Sequence, residues 1–165
     1  MAAAQERASR AFGARTTFFL VNGTSCGLHA AVAASCCPGT VLLASRASHS
    51  AVFHAAALAG APSPSTLLTG VCSAKDLDPR TRGGGTYAGC QVCLVDPEED
   101  GIFGVAHGLS PVRVRAKLDQ LHAAGHRVAA LLATSPTYFG ACSDVVALAQ
   151  VRRACVIAIV LASAA

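Results

Sequence analysis

Short, continuously apolar runs that alternate with helical stretches constrain this chain more than any other feature. Val41–Ala44, Gln91–Val95, Val128–Ala133 and Cys155–Leu161 each read as a strand that is apolar on both sides. That is the pattern of a parallel sheet covered by helices on both faces. Helical stretches separate them: Ser25–Ala34, Ser50–Leu58 before Gly60, Pro111–Ala124 and Val145–Ala154. Ser110 precedes the third with proline at its first position. Asp144 precedes the fourth and is better explained as a helix cap than as a catalytic acid. Helix-like Ala2–Phe12 leads into a further expected strand, Thr17–Val21, and Ser65–Leu68 is strand-like. Asp76, Asp78, Pro79 and Gly83-Gly84-Gly85 mark residues 72–90 as a loop. The expectation is one partial α/β domain over residues 1–165, with a loop at 69–90 and a doubly wound, mostly parallel sheet. Ligands of such sheets bind beyond the carboxyl ends of the strands.

One turn on that expected rim has the chemistry of an anion cradle. Asn22-Gly23-Thr24-Ser25-Cys26-Gly27 follows the apolar Thr17–Val21 and opens an Ala-rich helix. A helix N-terminus offers unpaired N–H groups and a partial positive charge. Thr24 and Ser25 add hydroxyl donors, and Gly23 and Gly27 permit close backbone approach. Phosphate is the best-fitting anion, although the same residues serve equally as a plain helix cap. His49, at a loop–helix junction, reads by itself as a cap or a surface residue, and Tyr138 as a partly buried aromatic at a strand end.

Several motifs agree in order and spacing over residues 4–151. They run from Ala4-Gln5-Glu6-Arg7-Ala8 through Phe18–Ser25, Pro38–Leu43, Arg46-Ala47-Ser48-His49-Ser50 and Leu58–Ala61 to Thr134-Ser135-Pro136-Thr137-Tyr138-Phe139-Gly140 and Ser143-Asp144. In this the chain resembles the large domain of the ornithine/lysine/arginine decarboxylases, fold-type-I enzymes that use pyridoxal 5′-phosphate (PLP). The resemblance implies that Thr24, Ser25 and Cys26 cup the cofactor phosphate, with Cys26 in place of a hydroxyl residue. It puts His49 over the pyridine ring and keeps a basic residue at Arg46. Thr137 and Tyr138 match the family's Pro-Thr-Tyr-Tyr-Gly turn, with Phe139 replacing the second tyrosine. Ala47 and Ser50 depart from the usual Asn and Lys.

The same resemblance implies a lysine that holds PLP as a Schiff base and a carboxylate that keeps its ring nitrogen protonated. Both belong downstream of the Pro-Thr-Tyr turn. Position 162, the best match for the carboxylate, is Ala, and the only lysines are Lys75 and Lys117. Neither lysine has the required context, so no catalytic residue is assigned. The reading is a truncated or mis-terminated piece of the enzyme, inactive alone, whose parent would act on a basic amino acid in polyamine synthesis. The alternative is a non-catalytic relative that binds phosphate or PLP, or offers an oligomer surface. A nucleotide-binding module is disfavoured, because neither GxGxxG nor GxxxxGK[ST] occurs.

Composition fits a piece of a larger sheet. Apolar residues make up 53% and charged residues 13%, against about 25% charged in ordinary soluble domains. Apolar faces and unfinished sheet edges imply a homo-oligomer. The net charge of +4 is dispersed, with no basic cluster interleaved with aromatics, which argues against nucleic acid. The longest apolar run, Val156–Ala162, is far below the ~20 residues that span a bilayer. Arg7, Arg10 and Arg15 resemble a transit peptide, but Glu6 argues against one; the expected location is cytoplasmic, with a plastid as the alternative. Eight irregularly spaced cysteines suggest reduced thiols. Cys90-Gln91-Val92-Cys93 is a lone CxxC without a second ligand pair, so neither zinc nor a redox role is favoured. His122 and His126 read as surface residues, because Gly125 ends their helix between them.

Overall fold

The apolar runs become the strands of one sheet. The computed structural model describes residues 1–37, 39–58 and 90–151, and the backbone of 156–160. The strands are β1 (Thr40–Ser45), β2 (Gln91–Val95), β3 (Arg127–Thr134) and β4 (Val156–Val160). They lie in the order β2-β1-β3-β4, and every pairing is parallel. β1 matches Val41–Ser45 with Gln91–Val95 on one side and lies against β3 on the other, with a register shift between Val41 and Leu42. All six residues of β1 are buried.

Helices cover both faces, as continuous apolarity requires. On one face α2 (Gly23–Ser35) and α3 (Ser50–Leu58) bury Leu28, Val32, Val52 and Ala55 against Leu42, Ala44, Val92, Ala130 and Leu132. On the other, α4 (Pro111–Ala123) and α5 (Val145–Gln150) bury Val114, Leu118, Leu121 and Leu148 against Val41, Leu43, Cys93, Val95, Leu131 and Ala133. Residues 41 and 43 thus go to one layer and 42 and 44 to the other, the period of two that a strand imposes. This is the doubly wound arrangement the sequence predicts. α1 (Ala2–Ala11) stands outside it and buries no residue.

One expected strand is not formed. Thr17–Val21 pairs with none of the described strands, and its side chains lie largely in solvent, with Phe18 72% and Val21 88% exposed. Its β-propensity reflects fit to a pleated, half-buried surface, and without a neighbouring strand to supply a ladder it goes unused. Helix α2 also begins earlier than expected, at Gly23, which places Thr24, Ser25 and Cys26 inside its first turn. α5 runs to Gln150, with Val151 as its C-cap. Asp144 caps it as expected, its Oδ1 accepting from the Ala147 N–H at 2.8 Å. Ser110 occupies the N-cap of α4 but makes no side-chain cap bond. Gly60, the Ser65–Leu68 strand, the 69–90 loop up to residue 89, Lys75 and Ala162 fall outside the described residues.

Candidate functional site

The rim at the carboxyl ends of the strands is built from hydrogen-bonded turns. Beyond β1, the Arg46 N–H donates to the Val95 carbonyl at 3.0 Å, and the Arg46 guanidinium pairs with Asp96 just past β2. Arg113 in the first turn of α4 donates to the Pro97 carbonyl at 2.9 Å. Ser48 and Thr134 bring their hydroxyls to 3.5 Å, joining the turn after β1 to the end of β3. Beyond β3, Ser135 Oγ accepts from the Ser143 N–H and Ser143 Oγ accepts from the Leu109 N–H, both at 3.0 Å. Three adjacent strand ends are thereby tied together by polar groups, several of them buried.

α2 brings its N-terminus to this rim. It ends at Ser35, just before β1 begins, and packs against β3, β4 and α3, so it runs back along the sheet. Its first turn is open. Asn22 stands at the N-cap without a side-chain cap bond, and Thr24, Ser25 and Cys26 are all exposed. Gly23 takes φ +75°, a left-handed geometry that disfavours any side chain. Gly27 has a packing reason of its own. A Cβ there would lie 2.3 Å from Leu20 Cδ1, so Gly27 makes room for the Leu20 side chain.

The other expected residues stand on the same rim with structural duties. His49 is the cap of α3, and its Nδ1 accepts from the Ala51 N–H at 3.1 Å. Its ring is exposed, so the cap fixes the ring while leaving it accessible. Thr137 is buried and organises the turn after β3. Its N–H donates to the Ala141 carbonyl at 2.8 Å and its Oγ1 accepts from the Ala141 N–H at 3.2 Å. It also donates to the Ala106 carbonyl at 3.4 Å. That turn presents Tyr138, 90% exposed and not partly buried as expected, edge-on to Phe139 at 5.5 Å between ring centroids. Lys117 lies in the middle of α4, lines a shallow pocket with Asp96 and Arg113, and donates to Gln120 Oε1 at 3.3 Å. Among the described residues no group of three His, Cys, Asp or Glu side chains is arranged to hold a metal ion. No helix there is long and apolar enough to cross a membrane.

Sequence reasoning missed the bonds that unite the rim. The Arg46–Asp96 pair and the Ser135–Ser143–Leu109 chain join residues far apart in sequence. Their only local signal is a polar residue directly after each apolar run.

An open helix N-terminus, a histidine cap and a threonine turn share one edge of a parallel sheet, and the class they belong to is an α/β domain with helices on both faces. Residues 1–65 match the family described as Orn/Lys/Arg decarboxylase, major domain. Over 147 residues the chain is 28% identical to an arginine decarboxylase of Bacillus cereus, covering 89% of this chain and 25% of that protein. It is 28% identical over 148 residues to an arginine decarboxylase of Bacillus subtilis, covering 89% of this chain and 23% of that protein. A third relative, uncharacterized protein YaaO of Bacillus subtilis, is 48% identical over 58 residues, which are 35% of this chain and 12% of its own. The chain is thus similar to the Orn/Lys/Arg decarboxylase major domain over residues 1–65 and to arginine decarboxylases over most of its own length. It spans about a quarter or less of the length of these curated relatives.

Proposed function

We propose that this chain supplies the phosphate-holding side of a PLP site for decarboxylation of a basic amino acid, and that residues 1–165 do not decarboxylate alone. The observation that carries the reading is the open first turn of α2, with Thr24 and Ser25 exposed, inside the stretch that matches the family. The donor set suits a phosphate dianion: backbone N–H groups, two hydroxyls and the positive end of a 13-residue helix. Cys26 would be a weaker third donor than a hydroxyl. His49 would lie against the ring, its orientation held by the Ala51 bond. Thr137 would fix the turn that flanks the cofactor. When bound, PLP would supply the electron sink for carbon dioxide loss.

For the covalent half of that chemistry we assign no residue among those described. Lys117, the one lysine among the described residues, is on α4 and is bonded to Gln120. That observation favours a second reading, a non-catalytic partner that binds phosphate or offers an oligomer surface. Arginine is the substrate that the named relatives support for a parent enzyme. Self-association through the exposed aromatics, and a cytoplasmic or plastid location, belong to the same proposal.

Calorimetric titration with PLP and with inorganic phosphate tests the cradle. Weak binding of both is expected, and Ser25→Ala should weaken it further, since a hydrogen bond to a charged group is worth about 1.5–3 kcal/mol. Absent binding, or indifference to the substitution, would reduce the turn to a helix start. Borohydride reduction with peptide mapping tests the covalent half: one stoichiometric pyridoxyl adduct on Lys75 or Lys117, or carbon dioxide release from labelled arginine, lysine or ornithine, would overturn the inactivity.

A further inference from the structure

The CxxC motif comes apart in the fold, and one of its cysteines acquires a different partner. Strand alternation sends Cys93 into the α4–α5 layer, while Cys90, just before β2, sits in the α2–α3 layer. That second layer also contains Cys36, the C-cap of α2. Two independent features bring Cys36 and Cys90 to the same end of the sheet. The Cys37 corner is clamped to the start of β1, since Thr40 Oγ1 donates to the Cys37 carbonyl at 2.6 Å and accepts from its N–H at 3.0 Å. The β1–β2 ladder begins at Val41↔Gln91, so Cys90 enters the sheet beside Thr40. Both thiols are buried in the same cluster there, Cys90 1% and Cys36 9% exposed.

We infer that Cys36 and Cys90 form a dithiol–disulfide couple, a modification site at which a small peroxide links the C-terminus of α2 to the start of β2. The two sulfurs are unequal in a way that suits the exchange. The neighbouring Cys90 first, then burial, push the Cys36 thiol up and hold it protonated, while the neighbouring Cys36 lowers the Cys90 thiol below its ordinary value. The thiolate is the attacking species. Cys90 sulfur displaces hydroxide from peroxide and becomes a sulfenic acid. Cys36 sulfur then displaces the sulfenic hydroxyl, which leaves with the Cys36 proton as water. In sum, two thiols and one hydrogen peroxide give one disulfide and two waters, the thiols losing two electrons and two protons. The cross-link closes α2 at the end opposite Thr24 and Ser25.

The test is hydrogen peroxide treatment of the full chain, followed by thiol counting and peptide mapping without reductant. The tryptic peptides ending at Arg46 and Arg113 each carry more than one cysteine, so fragment ions must assign the bond. The expected result is the loss of two thiols, a Cys36–Cys90 linkage, reversal by dithiothreitol and a higher melting temperature for the oxidised form. Cys93→Ser and Cys37→Ser should leave the linkage intact, and Cys90→Ala should abolish it. The wild-type map stands whether or not Cys90→Ala folds. A Cys90–Cys93 or Cys36–Cys37 bond would overturn the inference. So would oxidation confined to the exposed Cys26, Cys37 and Cys142.

Discussion

Two apolar runs of similar length meet opposite fates. Val41-Leu42-Leu43-Ala44 is wholly buried at the centre of the sheet, while Phe18-Phe19-Leu20-Val21 lies open, each residue 46% exposed or more. Hydrophobicity does not separate them, since the second run carries two phenylalanines. β1 differs in having a ladder on each side and a helical layer on each face. The arm at 16–21 has no strand beside it among the described residues, and its Leu20 lies over Gly27 of α2. A parallel strand is therefore a collective object, and an apolar run specifies one only where neighbours complete it.

The largest effect should come from emptying the shared core. Leu131 is fully buried in β3, between β1 and β4. Leu131→Ala should cost about 2–5 kcal/mol in urea unfolding, as large-to-small core changes do. Phe18→Ala should change stability by no more than about 0.5 kcal/mol, as for an exposed site. Equal costs would show that the arm is part of the cooperative unit.

Much of the sheet was legible in the sequence, and what was not has physical causes. β2 falls at Gln91–Val95 as expected, and β1 and β3 extend the expected runs by one or two residues. Those strands are short, apolar on both sides and bounded by Gly or polar residues. The arm misled because local pattern reports propensity and not the presence of a neighbour. In the site, the Asp144 cap follows from a local rule, whereas α2 starts at Gly23, two residues before the expected Ser25. The His49 bond to Ala51 realises the plain cap reading of that residue. The parting of Cys90 from Cys93 follows from alternation along the expected strand, but the bond of Thr137 to Ala106 and the placement of Cys90 in one layer with Cys36 required tertiary placement. No spacing along the chain encodes those partners.

Glycine replacements probe the same contrast through backbone clearance. A Cβ at Gly108 would meet Ser143 N at 2.8 Å and Cα at 2.7 Å. Backbone atoms cannot step aside, and the Ser143 bond to Leu109 would be strained with them. Gly108→Ala should destabilise by about 1–3 kcal/mol, the range for overpacking. Retained stability would mean that the 106–109 segment is not firmly held on the rim.

Asp144→Ala is expected to cost about 1 kcal/mol through loss of the bond from the Ala147 N–H. Because α5 buries Leu148 against the second layer, thermal unfolding should register the change. An unaltered melting temperature would mark α5 as a separately fraying element, nearer in character to the arm than to the core.

At Gly27 the obstacle is the end of a flexible side chain on the arm. Gly27→Ala should displace Leu20 and leave global stability unchanged or raised, since alanine is better than glycine in a helix by up to about 1 kcal/mol. A loss comparable to that at Gly108 would show that the arm is bound to α2 as firmly as a core element.

The smallest effect concerns an exposed apolar tip that, unlike the arm, is held in shape. Ile102 and Phe103 are 83% and 78% exposed, yet their N–H groups both donate to Asp100 Oδ1, at 2.6 and 3.3 Å. The Ile102 bond first, then the Phe103 bond, hold the Asp100 carboxyl below its ordinary value. A depressed carboxyl pKa contributes order that is fully present above the unfolded value of about 3.9 and is lost as pH falls through the folded value. Amide exchange at Ile102 and Phe103 should therefore show protection at neutral pH that fades in acid below pH ~4, while the strand amides stay protected. Asp100→Asn, which removes the charge at every pH, should flatten that dependence. If the two amides exchange freely at neutral pH, the tip has no more fixed shape than the arm, and the distinction between the two exposed segments disappears.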